Sequence, residues 1–339
     1  MFTPAEQSAM VEAVRLANVI DHPLGPNPRV GAVLLDSSGR QVASGLHRGP
    51  GSPHAEIDAL AAAGPAAKGC TAVVTLEPCN HTGRTGPCSE ALIAAGVTRV
   101  LYAMADPNPV AGGGHRTLQA AGVDVEVGLL AKEAGAVNAE WAVAVKRSHP
   151  FVTLKLATTL DGRVAAADGT SQWITGPTAR ADVHRLRHQV DAVAVGTGTA
   201  LADDPQLTDR RADAGDYQPV RVVIGQRAVS EDAHLLNVAA DSLVIGTRDL
   251  PTGLAEMFGR GIRHVLLEGG PTLATAFLRA RLVDRLIWYV APKLLGAGTP
   301  AVGELGIETV SDAFPWSPVD VTVLDADVRL TFDRIDQEA

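Results

Sequence analysis

One pattern limits this chain more than any other: His54-Ala55-Glu56, then Pro78-Cys79, then Pro87-Cys88. One imidazole and two thiolates form a zinc-ligand set, and three protein ligands leave one corner of a tetrahedral ion open, as in a catalytic zinc. For the three to meet, the segment carrying His54 must pack against the one ending at Cys79 and the one opening at Cys88. The surrounding pattern supplies such a frame. His54 to Ala63 reads as a helix stopped by Gly64-Pro65, and Thr71 to Leu76 as a buried strand with Cys79 just past its end. Cys88 opens the next helix, whose N-terminus favours the thiolate form. Glu56 can face the open corner without binding metal, where a carboxylate moves a proton from an activated water to a leaving amine. The bland alternative is a structural zinc, or buried cysteines with no metal. A structural site closes with a fourth ligand; His81 is the nearby candidate, and its loop position equally suits facing a substrate. Cys70, at a strand start and outside the pattern, reads as structural.

The rest of the chain alternates in the same way. Thr3-Pro4 with Glu6 predicts a helix start, continued on one face by Met10, Val11, Val14 and Ala17. Val30 to Leu35 and Gln41 to Leu46 read as a hairpin around Asp36-Ser37-Ser38-Gly39. Gly96 and Gly122 each sit just past a helix and before an apolar strand. A helix from about Ala131 to Lys146 runs into Ser148-His149-Pro150, where proline cannot continue it. A domain boundary is expected there, giving domains 1–149 and 150–339. Strands are expected again at Phe151–Leu156, Val190–Val195, Val220–Ile224, Leu243–Ile245, Val265–Leu267 and Leu286–Val290, with a mobile loop at Asp209–Pro219. This alternation predicts α/β sheets covered by helices on both faces.

Lys plus Arg is 29 and Asp plus Glu is 38, a net charge of −9, which disfavours nucleic acid and anionic membranes as partners. A small anionic substrate is compatible, since a few focused Arg and His side chains suffice to bind it. Three cysteines cannot make a disulfide framework and suit a reducing compartment. The first residues, Met1-Phe2-Thr3-Pro4-Ala5-Glu6, lack a basic leader, so a cytoplasmic protein is expected. The expected assembly is a homo-oligomer.

His-Ala-Glu with later Pro-Cys and Cys resembles the zinc nucleobase deaminases, whose cysteines stand two residues apart. Here eight residues intervene, Asn80-His81-Thr82-Gly83-Arg84-Thr85-Gly86-Pro87, a stretch suited to cradling a phosphate. That insertion, together with Asn27-Pro28-Arg29-Val30-Gly31, Gly45-Leu46-His47, Gly51-Ser52-Pro53-His54-Ala55-Glu56 and Asp106-Pro107-Asn108-Pro109, is similar to the pyrimidine deaminases of riboflavin biosynthesis. The resemblance implies a cytidine-deaminase-like three-layer α/β/α domain at 1–149. It also implies that Asn27, His47, His81, Arg84, Thr85, Asp106 and Asn108 line a pyrimidine and ribose-phosphate pocket beside His54, Cys79, Cys88 and Glu56.

By local pattern alone the second half says little. Gly196-Thr197-Gly198 lacks the third glycine of a Rossmann turn, and Glu268-Gly269-Gly270-Pro271-Thr272 reads either as a strand–helix turn or as an anion site. Leu154-Lys155-Leu156-Ala157-Thr158-Thr159-Leu160-Asp161-Gly162, Ser171-Gln172-Trp173-Ile174-Thr175-Gly176, Ala202-Asp203-Asp204-Pro205-Gln206-Leu207-Thr208 and Leu267-Glu268-Gly269-Gly270-Pro271-Thr272-Leu273 resemble the reductase half of the bifunctional riboflavin-biosynthesis family. That implies a dihydrofolate-reductase-like α/β domain at 150–339. NADPH would contact Thr158, Trp173, Thr199, Asp203 and the segment Gly270, Pro271, Thr272, Leu273, Ala274, Thr275 and Ala276. The substrate would contact Ser171, Arg187, Leu207, Arg210 and Glu268. Trp173 either stacks on nicotinamide or fills core space, Asp203 is a candidate general acid, and Arg248 a candidate partner for the NADPH 2′-phosphate. Gly225-Gln226-Arg227 departs from the Asp-Ser pair of the family, so no cofactor contact transfers there.

The implied activity is zinc-dependent hydrolytic deamination of 2,5-diamino-6-ribosylamino-4(3H)-pyrimidinone 5′-phosphate, then NADPH-dependent reduction of the ribosyl to the ribityl chain. The alternative is a zinc deaminase for another nucleobase with a regulatory or inactive nucleotide-binding second domain.

Overall fold

The computed structural model describes residues 2–82 and 86–335. The chain divides into two compact units, 1–148 and 149–339. Among the described residues no helix is long and apolar enough to cross a membrane.

The first unit opens with α1 (Pro4–Ala17), and its start signals are all used. Thr3 Oγ1 accepts from the Glu6 N–H at 3.2 Å, and the Glu6 carboxylate accepts from the Thr3 N–H at 2.7 Å. There follow β1 (Gly31–Leu35), β2 (Gln41–Leu46), α2 (Ala55–Ala63), β3 (Thr71–Leu76), α3 (Cys88–Ala94), β4 (Arg99–Met104), α4 (Gly114–Ala120), β5 (Asp124–Val127), α5 (Ala131–Val137) and α6 (Ala139–Arg147). The sheet order is β2-β1-β3-β4-β5, antiparallel around β1 and parallel from β3 onward. Period-two alternation assigns the faces. Val33, Leu35, Val73 and Leu101 bury Met10 and Ala13 of α1 and Ala134 of α5. Leu34, Val74 and Val100 on the other face bury Ala55 and Ala59 of α2, Leu92 of α3 and Leu118 of α4. The three-layer arrangement follows.

Two glycines set how closely the layers approach. A Cβ on Gly45 would collide with the Ala55 carbonyl, and one on Gly114 with the Pro78 carbonyl. Backbone contact at these points seats α2 directly on β2 and the start of α4 directly on the loop carrying Cys79.

Where the pattern predicts one helix over 131–146, the structure has two, parted at Asn138. The Asn138 side chain is the reason: Oδ1 accepts from the Arg29 N–H at 2.9 Å and Nδ2 donates to the Arg29 carbonyl at 2.8 Å. The helix breaks so that this buried amide can clamp the strand-entry segment before β1.

The second unit contains β6 (Phe151–Thr159), β7 (Arg163–Ala165), α7 (Pro177–His188), β8 (Ala192–Gly196), α8 (Thr197–Asp203), β9 (Val220–Ile224), β10 (Ser242–Ile245), α9 (Leu250–Gly259), β11 (His264–Leu267), α10 (Pro271–Arg279), β12 (Arg285–Ala291), β13 (Thr299–Pro300), β14 (Trp316–Leu324) and β15 (Asp327–Arg334). Its sheet runs β10-β9-β8-β11-β6-β12-β15-β14, parallel as far as β12 and antiparallel beyond it; β7 pairs with β13. Leu154, Ala194, Val222 and Leu267 bury α9 and α10 through Leu254, Met257 and Phe277. The opposite face, through Val193, Val195, Leu266, Ile287 and Tyr289, packs against α7 and α8. The segment expected to be a mobile loop has anchored ends: Asp209 and the Gln218 amide exchange two hydrogen bonds of 2.9 Å.

Candidate active sites

The first site lies where β3 ends and α2 and α3 begin. His54 takes the N-cap position of α2, Glu56 follows in its first turn, and Cys88 is the first residue of α3. His54 Nδ1 stands 3.2 Å from Cys88 Sγ and 3.5 Å from Cys79 Sγ. The three donor atoms all lie within 4.8 Å of one another. Zinc–sulfur bonds of about 2.3 Å and zinc–nitrogen bonds of about 2.0 Å place tetrahedral ligand atoms roughly 3.5 Å apart, so the donor set fits a zinc ion in spacing as in chemistry. The hydrogen bonds it accepts from Cys88 and from His54 outweigh burial and pull the Cys79 thiol down to about 4, while Cys88, the donor, is pushed up. His54 is raised by the same contact with Cys79. One negative charge is thus already gathered among donors that a dication would hold as two thiolates.

Glu56 is 4% exposed, and its carboxylate faces Cys88. Burial, with the charge of Cys79 adding to it, pushes the Glu56 carboxyl up to about 7. A carboxyl poised near neutrality beside a metal site can accept and return a proton.

Around this centre the structure gathers most of the residues picked out in the sequence. The Asn27 amide nitrogen is 2.9 Å from His47 Nε2, and His47 Nδ1 is 2.9 Å from the Pro53 carbonyl. With Nδ1 donating to that carbonyl, Nε2 accepts from Asn27, and burial lowers the His47 pKa, favouring this neutral form. The His47 and His54 rings meet edge to face at 5.3 Å. Asp106 is pushed up to about 6, chiefly by burial, with Glu77 and Cys79 adding and the Asn108 N–H and His81 opposing. Asn108 donates its N–H to Asp106 at 2.8 Å and turns its own side-chain oxygen to the Val110 N–H. Among the described residues His81 Nδ1 is buried without a hydrogen-bond partner. Arg84 and Thr85 lie outside the described residues.

Glu77 went unnoticed in the sequence. Its buried carboxylate accepts from the N–H groups of Gly113 (3.1 Å), His115 (3.0 Å) and Asp106 (3.4 Å). It ties the Asp106 loop and the start of α4 to the strand that delivers Cys79. Its one sequence signal is a carboxylate wedged between an apolar strand and Pro78.

The second site forms at the carboxyl ends of the parallel strands. Arg187 on α7 donates Nε to Glu268 Oε1 at 2.7 Å and Nη2 to Oε2 at 3.1 Å, and Nη1 to the Thr208 carbonyl at 3.0 Å. Burial pushes Glu268 up, but Arg187, then Lys155 and His184, outweigh it and hold its carboxyl below the usual range. Lys155 on β6, quoted within a motif but given no role, is half-buried beside this pair; loss of solvent lowers its pKa, with Glu268 opposing and the like charge of Arg187 adding. Its Nζ stands 5.9 Å from the Tyr289 ring centre. Arg210 is exposed overall, but partial loss of solvent around its guanidinium and the like charge of Arg187 lower its pKa.

The remaining positions divide. Thr199 Oγ1 accepts from the Gly270 N–H at 3.1 Å, joining the first turn of α8 to the loop after β11. Trp173 is 63% exposed with the Arg180 guanidinium 4.5 Å above its ring, so it does not fill core space. Ser171 and Asp203 are exposed. Thr158 is buried and its hydroxyl accepts from Trp288 Nε1 at 2.8 Å. Leu207 is buried, with a left-handed φ of 57°. In the Gly270–Ala276 segment, Gly270, Pro271 and Thr272 open α10, Ala274 enters the core, and Thr275 Oγ1 accepts from the Gly303 N–H at 2.8 Å.

Residues 4–104 match the cytidine and deoxycytidylate deaminase zinc-binding region, and residues 150–330 match the RibD C-terminal domain. A zinc deaminase domain joined to a reductase domain makes the chain a two-activity enzyme. The riboflavin biosynthesis protein RibD of Mycobacterium tuberculosis is 48% identical over 310 residues, covering 90% of this chain and 91% of that one. RibD of Escherichia coli K12 is 42% identical over 340 residues, covering 90% and 92%. Among solved structures, Acinetobacter baumannii RibD superposes with a TM-score of 0.89 at 37% identity over 98% of this chain and 99% of that one. The diaminohydroxyphosphoribosylaminopyrimidine deaminase/5-amino-6-(5-phosphoribosylamino)uracil reductase of Thermotoga maritima gives 0.86 at 32% identity over the same shares. The chain belongs to the RibD family of bifunctional deaminase–reductases of riboflavin biosynthesis.

Proposed function

We propose that residues 1–149 deaminate 2,5-diamino-6-ribosylamino-4(3H)-pyrimidinone 5′-phosphate and that residues 150–339 reduce the product's ribosyl group to ribityl with NADPH. The observation that carries the first step is Glu56 set against the His54, Cys79 and Cys88 donors. Zinc held by those three would supply the Lewis acidity that makes a water a nucleophile near neutral pH. Glu56 is the group that accepts a proton at its carboxylate and returns it to the departing amine. Asn27, oriented by its hydrogen bond to His47, offers the rest of its amide to the pyrimidine, while the His47 ring, both nitrogens engaged, forms the wall with His81, Asp106 and Asn108. Arg84 and Thr85 are assigned to the phosphate.

For the second step, NADPH supplies the hydride. The reading is supported by the contact of Thr199 in α8 with Gly270, the N-cap of α10, whose helix start suits the diphosphate. Trp173, exposed, is free to stack on a nicotinamide, and Thr158 has its main chain to offer, its hydroxyl being engaged. Lys155, Arg187 and Glu268 face the substrate with Ser171 and Leu207, Arg210 suits its phosphate, and Asp203 stands as general acid. All three cysteines are free, which suits a reducing cytoplasm. Val319, Val321 and Val323 stand exposed on the edge strand β14, which supports a homo-oligomer.

Incubating the purified protein with the diaminopyrimidinone ribotide, with and without NADPH, and weighing the products by mass spectrometry tests both halves. Loss of ammonia without NADPH, then a gain of two hydrogens with it, is expected. An unchanged substrate refutes the first assignment, and an unreduced deaminated product the second.

A further inference from the structure

We propose that Arg227, seconded by Arg248, recognises the 2′-phosphate of the dinucleotide and so sets the preference for NADPH over NADH. The inference rests on the reading of residues 150–339 as an NADPH reductase. β8 leads through α8 to β9 on one side, whereas β11 leads through α10 to β12 on the other, so the connections part between β8 and β11. In open α/β sheets ligands bind beyond the carboxyl ends of the strands at such a parting. The hydrogen bond from Gly270 to Thr199 lies there.

Lys155 and Glu268, the groups suited to substrate, stand at β6 and β11. An extended dinucleotide whose reacting end meets them must run its adenosine half the other way, over β8, β9 and β10. Two loops wait at those ends, Gly225-Gln226-Arg227 after β9 and Gly246-Thr247-Arg248 after β10. The strands are parallel neighbours with Ile224 paired to Ile245, and the Gly225 N–H donates to the Ile245 carbonyl at 3.0 Å, so the loops lie side by side.

Arg227 does not extend into solvent away from this edge. Its Nε donates to Thr197 Oγ1 at 3.4 Å, and a Cβ on Gly198 would stand 2.9 Å from its Nη2. The guanidinium therefore lies over the turn that opens α8, two residues from Thr199. That hydrogen bond is long and uses one of five N–H groups, leaving the fork able to grip a phosphate at two points. Among the described residues neither Arg227 nor Arg248 is held in an ion pair, and both are exposed. An NADH ribose offers a hydroxyl in place of the dianion and would gain little from either cation.

The test uses the full-length protein and two small probes, 2′,5′-ADP and 5′-AMP, titrated calorimetrically. Arg227→Ala is expected to weaken 2′,5′-ADP roughly 10–100-fold, the worth of a charge-assisted contact, and to leave 5′-AMP unchanged. Arg227→Lys should recover part of the loss, and Arg248→Ala should cause a smaller one. The ratio of the KM values for NADPH and NADH should converge in Arg227→Ala with little change in kcat. Wild-type protein that binds 2′,5′-ADP, with Arg227→Ala binding it equally well, overturns the assignment of Arg227 alone. Wild-type protein that neither binds 2′,5′-ADP nor oxidises NADPH overturns the reductase reading beneath it.

Discussion

Arg187 grips Glu268 at both carboxylate oxygens, at 2.7 and 3.1 Å, with both side chains nearly buried, at 12% and 10% exposure. A long reach joins two elements distant in sequence, α7 and the end of β11, beside Lys155. Breaking one side leaves a buried charge without its partner, which costs about 3–5 kcal/mol. Glu268→Gln is therefore expected to destabilise the second unit by that order and to stop ribityl formation while ammonia release continues. Denaturant unfolding and product analysis on the same preparation check it.

The same pair carries a pH signature. Glu268 is held below its ordinary value of 4.5, so its contribution is fully present above that value and is lost as pH falls through the lower folded value. The stability difference between wild type and Glu268→Gln should be constant near neutrality and shrink in the acid range. A difference that instead grows on acidification would contradict the pairing.

Glu56→Gln keeps the size of the side chain and removes its basicity. Deaminase turnover should fall by roughly 10²–10⁴-fold, the usual yield of general acid–base catalysis. Zinc content, read by elemental analysis, and NADPH oxidation with deaminated substrate should both persist. Loss of zinc in this variant would mean that Glu56 holds the ion and does not act on substrate.

Gly45 takes no part in the chemistry yet controls it. Gly45→Ala would drive a methyl group into the Ala55 carbonyl and push α2 off β2. Overpacking of this kind costs about 1–3 kcal/mol. Because His54 and Glu56 ride at the start of α2, zinc retention against a weak chelator should decline together with thermal stability. A variant with full zinc would show that α2 can shift without disturbing its own first turn.

The grouping of His54, Cys79 and Cys88 was legible because the three donors fall at element boundaries that sequence marks well: a strand before Pro78, and helix starts at His54 and Cys88. Glu77 was not, because its place between an apolar strand and Pro78 is a faint signal, and its three main-chain N–H donors come from segments distant in sequence. Asn138 hid for a similar reason, its partner Arg29 lying far along the chain. In the second unit the motifs were recognised by resemblance, since a main-chain donor such as the Gly270 amide leaves little trace in side-chain pattern. The Trp316–Arg334 hairpin escaped notice although Val319, Val321 and Val323 alternate, because that face stays exposed and no apolar run announces a buried strand.

Among the described residues the apolar clusters sort by unit, those built on β1, β3 and β4 having no residue in common with those built on β6, β8, β9 and β11. Calorimetry should then resolve two endotherms, of which stripping the metal displaces just one. A cell starved of zinc would consequently keep a chain whose later step still works while the earlier one fails, so the blocked precursor, still bearing its amine, is what should accumulate.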